Sequence, residues 1–89
     1  MARVRFTQNI QRHIACPPRD VVARTVSEAL DAALANNVKA RDYFLDDQGA
    51  LRKHIAIFVD GVPMHDRVKL SDPIEPDALI DVMQALSGG

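Results

Sequence analysis

One stretch limits the architecture of this chain more than any other. Thr25-Val26-Ser27-Glu28 opens a segment whose apolar residues fall at Val26, Ala29, Leu30, Ala33 and Leu34. That i, i+3, i+4, i+7, i+8 spacing makes one apolar stripe, the form of a helix that lies on a sheet. Thr25 suits the N-cap: its hydroxyl accepts from the Glu28 amide, and the Glu28 carboxylate reaches back to the Thr25 amide. Asn36-Asn37 marks the stop. The rest of the chain reads mainly as strands and turns, so one main helix must share its apolar face with a sheet.

The strands follow from alternation and from turn residues. Arg3-Val4-Arg5-Phe6-Thr7 points Val4 and Phe6 inward and the arginines outward. Gln8-Asn9 is expected to make a tight turn. Ile10 to Cys16 is then a second strand, antiparallel to the first, with Ile10, Ile14 and Cys16 on one face. Pro17-Pro18 ends it, because neither residue can donate a ladder hydrogen bond. Val38, Ala40 and Phe44 hint at a short helical turn within Val38 to Leu45, which the pattern leaves ambiguous. Asp46-Asp47-Gln48-Gly49 is turn chemistry. Ile55-Ala56-Ile57-Phe58-Val59 is a continuous apolar run, as expected of a strand covered on both faces. Asp60-Gly61 is a strong hairpin signal leading into Val62 to Met64. Turns at Asp72-Pro73 and Glu75-Pro76-Asp77 precede a last strand over Leu79 to Met83, and Gln84 to Gly89 is tail. The sum is a compact α+β domain.

Size and composition exclude several classes of function. A chain of 89 residues is one domain, and it buries only about 60–65% of its unfolded surface, leaving little interior for a deep catalytic pocket. No apolar run approaches the roughly 20 residues of a membrane span. The start of the chain alternates instead of showing a signal-peptide core. A cytoplasmic protein with no membrane partner is expected. Eleven Lys and Arg stand against 12 Asp and Glu, a net charge of −1, which argues against nucleic acid as a partner. Tyr43 is the sole tyrosine and tryptophan is absent, so base-stacking platforms are poorly supplied.

The chemistry-bearing residues are sparse. Cys16 is the only cysteine, which excludes an internal disulfide or a site built on several thiolates. On an apolar strand face it reads as a small hydrophobe. His13, His54 and His65 lack metal-ligand spacing, so no metal is assigned; His13 and His54, beside basic residues, look like exposed strand positions. Asp46-Asp47-Gln48-Gly49 lacks the later acidic ligands of a calcium loop and reads as a solvated turn. No serine stands in a nucleophile elbow, and no acid/base pair is framed, so catalysis by the chain alone is not expected. Arg3, Arg5 and Arg12 are expected to share the solvent side of the first hairpin. They read as a solvated face first and as a docking patch for an acidic partner second.

Taken in order, these pieces resemble a known family. A β-hairpin, a helix opened by Thr25-Val26-Ser27-Glu28-Ala29-Leu30, the Ile57-Phe58-Val59-Asp60-Gly61 hairpin, the Asp72-Pro73-Ile74 turn and the final Gly88-Gly89 are similar to the MoaD/ThiS-like sulfur-carrier proteins. The resemblance runs from Val4 to Gly89. It implies a ubiquitin-like β-grasp fold: a mixed four- to five-stranded sheet packed on one main helix. Residues 1–84 would form the domain and 85–89 a flexible C-terminal Gly-Gly tail. Relatives often carry Asn-Gly where this chain has Asp60-Gly61, an exchange that keeps the turn chemistry. They often carry Gly-Asp-Glu-Val where Pro76-Asp77-Ala78-Leu79 stands here, and many have a proline before the tail, where this chain has Met83 to Ser87.

The same resemblance implies a role. Gly89 would carry the reacting carboxylate, with Leu86, Ser87 and Gly88 as the partner-binding part of the tail. An E1-like adenylating enzyme would join Gly89 to AMP, using ATP, with no cofactor bound by the chain itself. A sulfur donor would then leave a C-terminal thiocarboxylate for a sulfur-acceptor enzyme. Three acceptors fit: a cysteine synthase-like enzyme, the large subunit of molybdopterin synthase, or thiazole synthase in the thiamine route. Tyr43 to Arg52 resembles the carriers serving cysteine synthesis and favours the first slightly. Two alternatives stay open: a ubiquitin-like modifier conjugated to lysines through Gly89, and an unprocessed β-grasp binding module. Without Cβ atoms, Gly88 and Gly89 allow close backbone approach inside a narrow site.

Overall fold

A computed structural model of the chain describes residues 1–84. The chain begins with β1 (Ala2–Phe6), whose alternation buries Ala2, Val4 and Phe6 and exposes Arg3 and Arg5. A single helical turn, α1 (Gln8–Gln11), and a loop lead to β2 (Arg19–Val21). Then come α2 (Val26–Ala33), α3 (Val38–Phe44), β3 (Ile55–Val59), β4 (Val62–Pro63) and β5 (Leu79–Gln84). The five strands make one mixed sheet in the order β2-β1-β5-β3-β4. β1 and β5 are parallel; the other neighbours are antiparallel. α2 packs against β1 and β2, and this arrangement of sheet and helix is a β-grasp.

The second strand lies elsewhere than the alternation suggests. Ile10 is fully buried, yet it enters the core from α1 rather than from a strand. The Gln11 carboxamide is the local reason: its oxygen accepts from the Cys16 amide at 2.9 Å, and its nitrogen donates to the Cys16 carbonyl. A side chain thereby takes the backbone groups that a strand would offer to β1. β2 forms after Pro17-Pro18, with Ala2 opposite Val21 and Val4 opposite Arg19. The prolines lead into the strand instead of ending one.

α2 starts where expected, with one change. Thr25 Oγ1 accepts from the Glu28 amide at 3.2 Å, a cap of about 1 kcal/mol in most proteins. The Glu28 carboxylate accepts from the Arg24 amide (2.9 Å), one residue before the position the capping-box pattern names. α2 ends at Ala33, and Asn37 starts the next helix, its side chain accepting from the Ala40 amide at 3.1 Å. α3 is thus a true helix of seven residues whose Ala40 and Phe44 are fully buried. In β3 Ile55 and Ile57 are buried under the helices and Val59 packs partly against the same core, while Ala56 and Phe58 lie half-buried on the other face, so the run is covered on one side. Asp60 (φ 51°) and Gly61 (φ 83°) make the tight β3–β4 turn, which needs positive φ at both positions.

The loop after β4 completes the start of α2. Leu70 adopts φ 53°, and its carbonyl accepts from the Ser27 amide at 2.8 Å, while the Asp72 carbonyl takes the Val26 amide at 3.0 Å. These bonds satisfy helix-terminal donors that would otherwise lack partners. Two aspartates shape the loop. Asp72 accepts from the His65 and Asp66 amides, both at 2.8 Å. Asp66 accepts from the amides of Val68 and Lys69 and from the Ser71 hydroxyl. The Lys69 amide, then the Ser71 hydroxyl, hold the Asp66 carboxylate down to about 2, against 3.8 for a free group. A carboxylate with a depressed pKa stabilises the fold above its unfolded value and loses that contribution as pH falls toward the folded one. The melting-temperature gap between the wild type and Asp66→Ala is therefore widest above pH 3.8 and narrows as pH falls toward about 2. Thermal unfolding followed across that range reads it directly; a gap that persists unchanged at pH 2 contradicts it.

Candidate functional site

The residues assigned to the tail, Leu86, Ser87, Gly88 and Gly89, lie outside the described residues. What the structure defines is the strand that leads to them. β5 is the central strand, flanked by β1 on one side and β3 on the other. Ile80 and Val82 are fully buried beneath the helices. At its beginning, the Asp60 carboxylate accepts from the Leu79 amide at 2.9 Å, and the Asp60 amide donates to the Leu79 carbonyl at 2.8 Å. The strand is anchored through the core and at its start.

Its other end is held differently. Pairing with β1 reaches only Phe6 opposite Val82, with the Thr7 amide donating to the Val82 carbonyl at 3.1 Å. Gln84 faces Ile55, the first residue of β3. From α3, the Tyr43 hydroxyl donates to Gln84 Oε1 at 2.6 Å. The His13 ring stacks on Tyr43 with centroids 6.1 Å apart, and the His54 ring meets it edge-on at 6.3 Å. Both histidines are exposed, as expected, but neither is in a strand: His13 follows α1 and His54 precedes β3. Residues 13, 43, 54 and 84 share no local pattern, so only the fold brings them together. Among the described residues no three His, Cys, Asp or Glu side chains gather in a way that could hold a metal ion.

The sheet face turned away from the helices is divided in two. Arg3 donates to Asp20 at 3.0 Å and Arg5 to Asp81 at 2.8 Å. The hydrogen bond from Arg3, with its charge, holds the Asp20 carboxyl below its ordinary value. Both arginines are thereby matched by carboxylates, which favours the solvated reading over a free basic patch. Arg12 is not in a strand with them; it is the C-cap residue of α1. On the same face, strand alternation places Ala56, Phe58, Leu79 and Met83, all apolar and half-buried.

The remaining candidates have structural roles. Cys16 is 2% exposed, and burial pushes its thiol upward, away from the reactive thiolate. Asp46 accepts from the amides of Gln48 and Ala50 and closes the turn that contains Gly49 (φ 81°). A groove of about 280 Å³ beside Ser27 and Leu45 holds the Arg41–Asp31 pair at 2.7 Å and frames no nucleophile. No helix among the described residues is long and apolar enough to cross a membrane.

No protein-family model matches the chain, and no curated protein matches it significantly. Solved structures do. SAMP1 of Haloferax volcanii, a small archaeal modifier protein, superimposes with a TM-score of 0.76 at 21% identity, covering 99% of this chain and 98% of that one. A chain of the BexX/CysO complex of Amycolatopsis orientalis gives 0.76 at 18% identity, over 100% of both chains. Urm1 of Sulfolobus solfataricus gives 0.67 at 13% identity, over 92% and 97%. At such identities the likeness is one of fold: the ubiquitin-like β-grasp over nearly the whole length.

Proposed function

We propose that this chain is a sulfur carrier of the MoaD/ThiS type, a protein cosubstrate whose residues 1–84 form the rigid body and whose residues 85–89 form the tail that enters partner enzymes. The observation that carries the reading is the path of β5: a central strand, anchored in the core, that leads into Ala85-Leu86-Ser87-Gly88-Gly89. Full-length likeness of fold to CysO, Urm1 and SAMP1 supports it. The reacting species carries a free carboxylate on Gly89.

The chemistry follows from that carboxylate. With a pKa of roughly 3.5 it is ionised at neutral pH and resists nucleophiles. In the adenylating enzyme a carboxylate oxygen attacks the α-phosphorus of ATP. The bond to the leaving pyrophosphate breaks, giving an acyl-adenylate. A sulfur nucleophile then attacks the carbonyl carbon and AMP departs with its electron pair. Two moderate substitutions replace one difficult one. The thiocarboxylate passes to an acceptor enzyme, for which the cysteine synthase-like route is slightly favoured over molybdopterin and thiazole synthesis by the resemblance at Tyr43 to Arg52.

Incubation with an adenylating enzyme, ATP and sulfide, followed by intact-mass measurement, tests the proposal. The expected product is heavier by the exchange of one oxygen for sulfur. A mass that never changes with any adenylating partner disproves it. The name of the small archaeal modifier proteins favours a second reading, conjugation of Gly89 to lysines. Adducts that survive thiol reagents on denaturing gels would select that reading.

A further inference from the structure

We propose that Tyr43 is a positioning residue for the tail: by holding Gln84 it sets the direction in which the chain leaves the sheet. The inference rests on the carrier reading above and adds to it a residue far from the tail in sequence. Strand ends fray unless something restrains them. β1 pairs with β5 only as far as Val82, so Met83 and Gln84 have a strand partner on one side alone. That partner is itself the beginning of β3, where Ile55 faces Gln84. The end of β5 thus lacks half of the ladder that fixes its middle.

Tyr43 supplies the missing restraint from the helical layer. Its hydroxyl donates to Gln84 Oε1 at 2.6 Å in a partly buried setting. Its own place is secured on several sides. It adjoins Phe44, which is fully buried and meets it edge-on at 5.5 Å. His13 stacks on it and His54 meets it in a T-shaped contact. A tyrosine held this way has little side-chain freedom left to lose. Gln84, by contrast, carries a long side chain with much rotamer freedom. Fixing it before a partner arrives lowers the ordering cost that docking would otherwise incur. The benefit falls on association and not on the chemical step.

The test uses the full chain with an adenylating enzyme that activates it, read by ATP–pyrophosphate exchange. Tyr43→Phe keeps the ring and removes the donor. Its expected effect is a KM for the carrier raised about fivefold with kcat unchanged, the signature of lost uniform binding. Gln84→Met removes the acceptor and has the same effect, and the double variant is no worse than either single one. Backbone amide exchange at residues 83–84 accelerates by a similar factor. Thr25→Ala, which weakens the α2 cap, serves as a variant of lowered stability and leaves KM as in the wild type. Faster amide exchange in Tyr43→Phe with a wild-type KM would make the bond structural only and overturn the proposal. So would a KM that rises equally in Thr25→Ala. A wild type that no adenylating enzyme activates marks failure of the carrier reading itself, and the positioning role falls with it; that outcome is visible without any variant.

Discussion

If the chain is a sulfur carrier, removal of Gly89 lowers adenylate formation by about 100-fold or more while leaving the melting temperature of the domain unchanged. The expectation follows from the distance one residue contributes. An extended chain advances about 3.3–3.6 Å per residue, so a truncated tail brings the Gly88 carboxylate short of the α-phosphorus by that length. Misplacement of reacting groups by about 1 Å can already cost a factor of 100. Domain stability is expected to be spared because the core formed by the described residues runs from Ala2 to Val82. Gly89→Ala keeps the length and adds a Cβ, and should show a smaller loss, since the deficit is then one of fit. ATP–pyrophosphate exchange measures both variants, and thermal unfolding supplies the control. Equal activity in the truncated and intact chains would remove Gly89 from the mechanism.

Phe44→Ala is the most damaging core substitution expected. Phe44 is fully buried, its ring stacks on Phe6 at 5.4 Å, and Tyr43 meets it in a T-shaped contact. Loss of a buried phenylalanine costs about 3–5 kcal/mol, transfer and cavity together. A chain of this size has roughly 4 to 13 kcal/mol in total, so one substitution removes a large part of it. At about 4–8 °C per kcal/mol for so small a domain, the melting temperature falls by at least about 12 °C. On the positioning role proposed for Tyr43, the effect also reaches function. α3 carries Tyr43 on the residue before Phe44, so a loosened helix releases Gln84 as well. Urea or thermal unfolding tests the stability loss; a shift of only a degree or two would mean that the core closes around the gap and that Phe44 is not central to it.

Where sequence and structure part, the reasons are physical. Ile10 and Cys16 are buried as the apolar pattern requires. That pattern does not distinguish a strand from a helical turn followed by a loop, and the Gln11 carboxamide decided between them. The run Ile55 to Val59 is apolar throughout, yet only its alternate residues Ile55, Ile57 and Val59 pack against the core. Apolar residues on an open sheet face look the same in sequence as buried ones. The ambiguity over Val38 to Leu45 has a similar source. A helix of seven residues has too few turns to show a stripe, and its formation depends on burying Ala40 and Phe44.

The residues of this protein, read alone, specify much of what has its cause within a few positions along the chain. The Thr25 cap, the α2 stripe, the Asp60-Gly61 turn and the alternation of β1 and β5 all belong to that group. The Gln11–Cys16 bonds and the Asn37 cap are local as well, yet they are not legible in the pattern. Strand order is different in kind. That β5 sits at the centre, parallel to β1, follows from which side chains fill the space beneath α2 and α3. The bond from Tyr43 to Gln84 spans 41 positions, and no periodicity operates over such a separation. Burial of side chains brings those distant residues together, and burial is a property of the packed molecule.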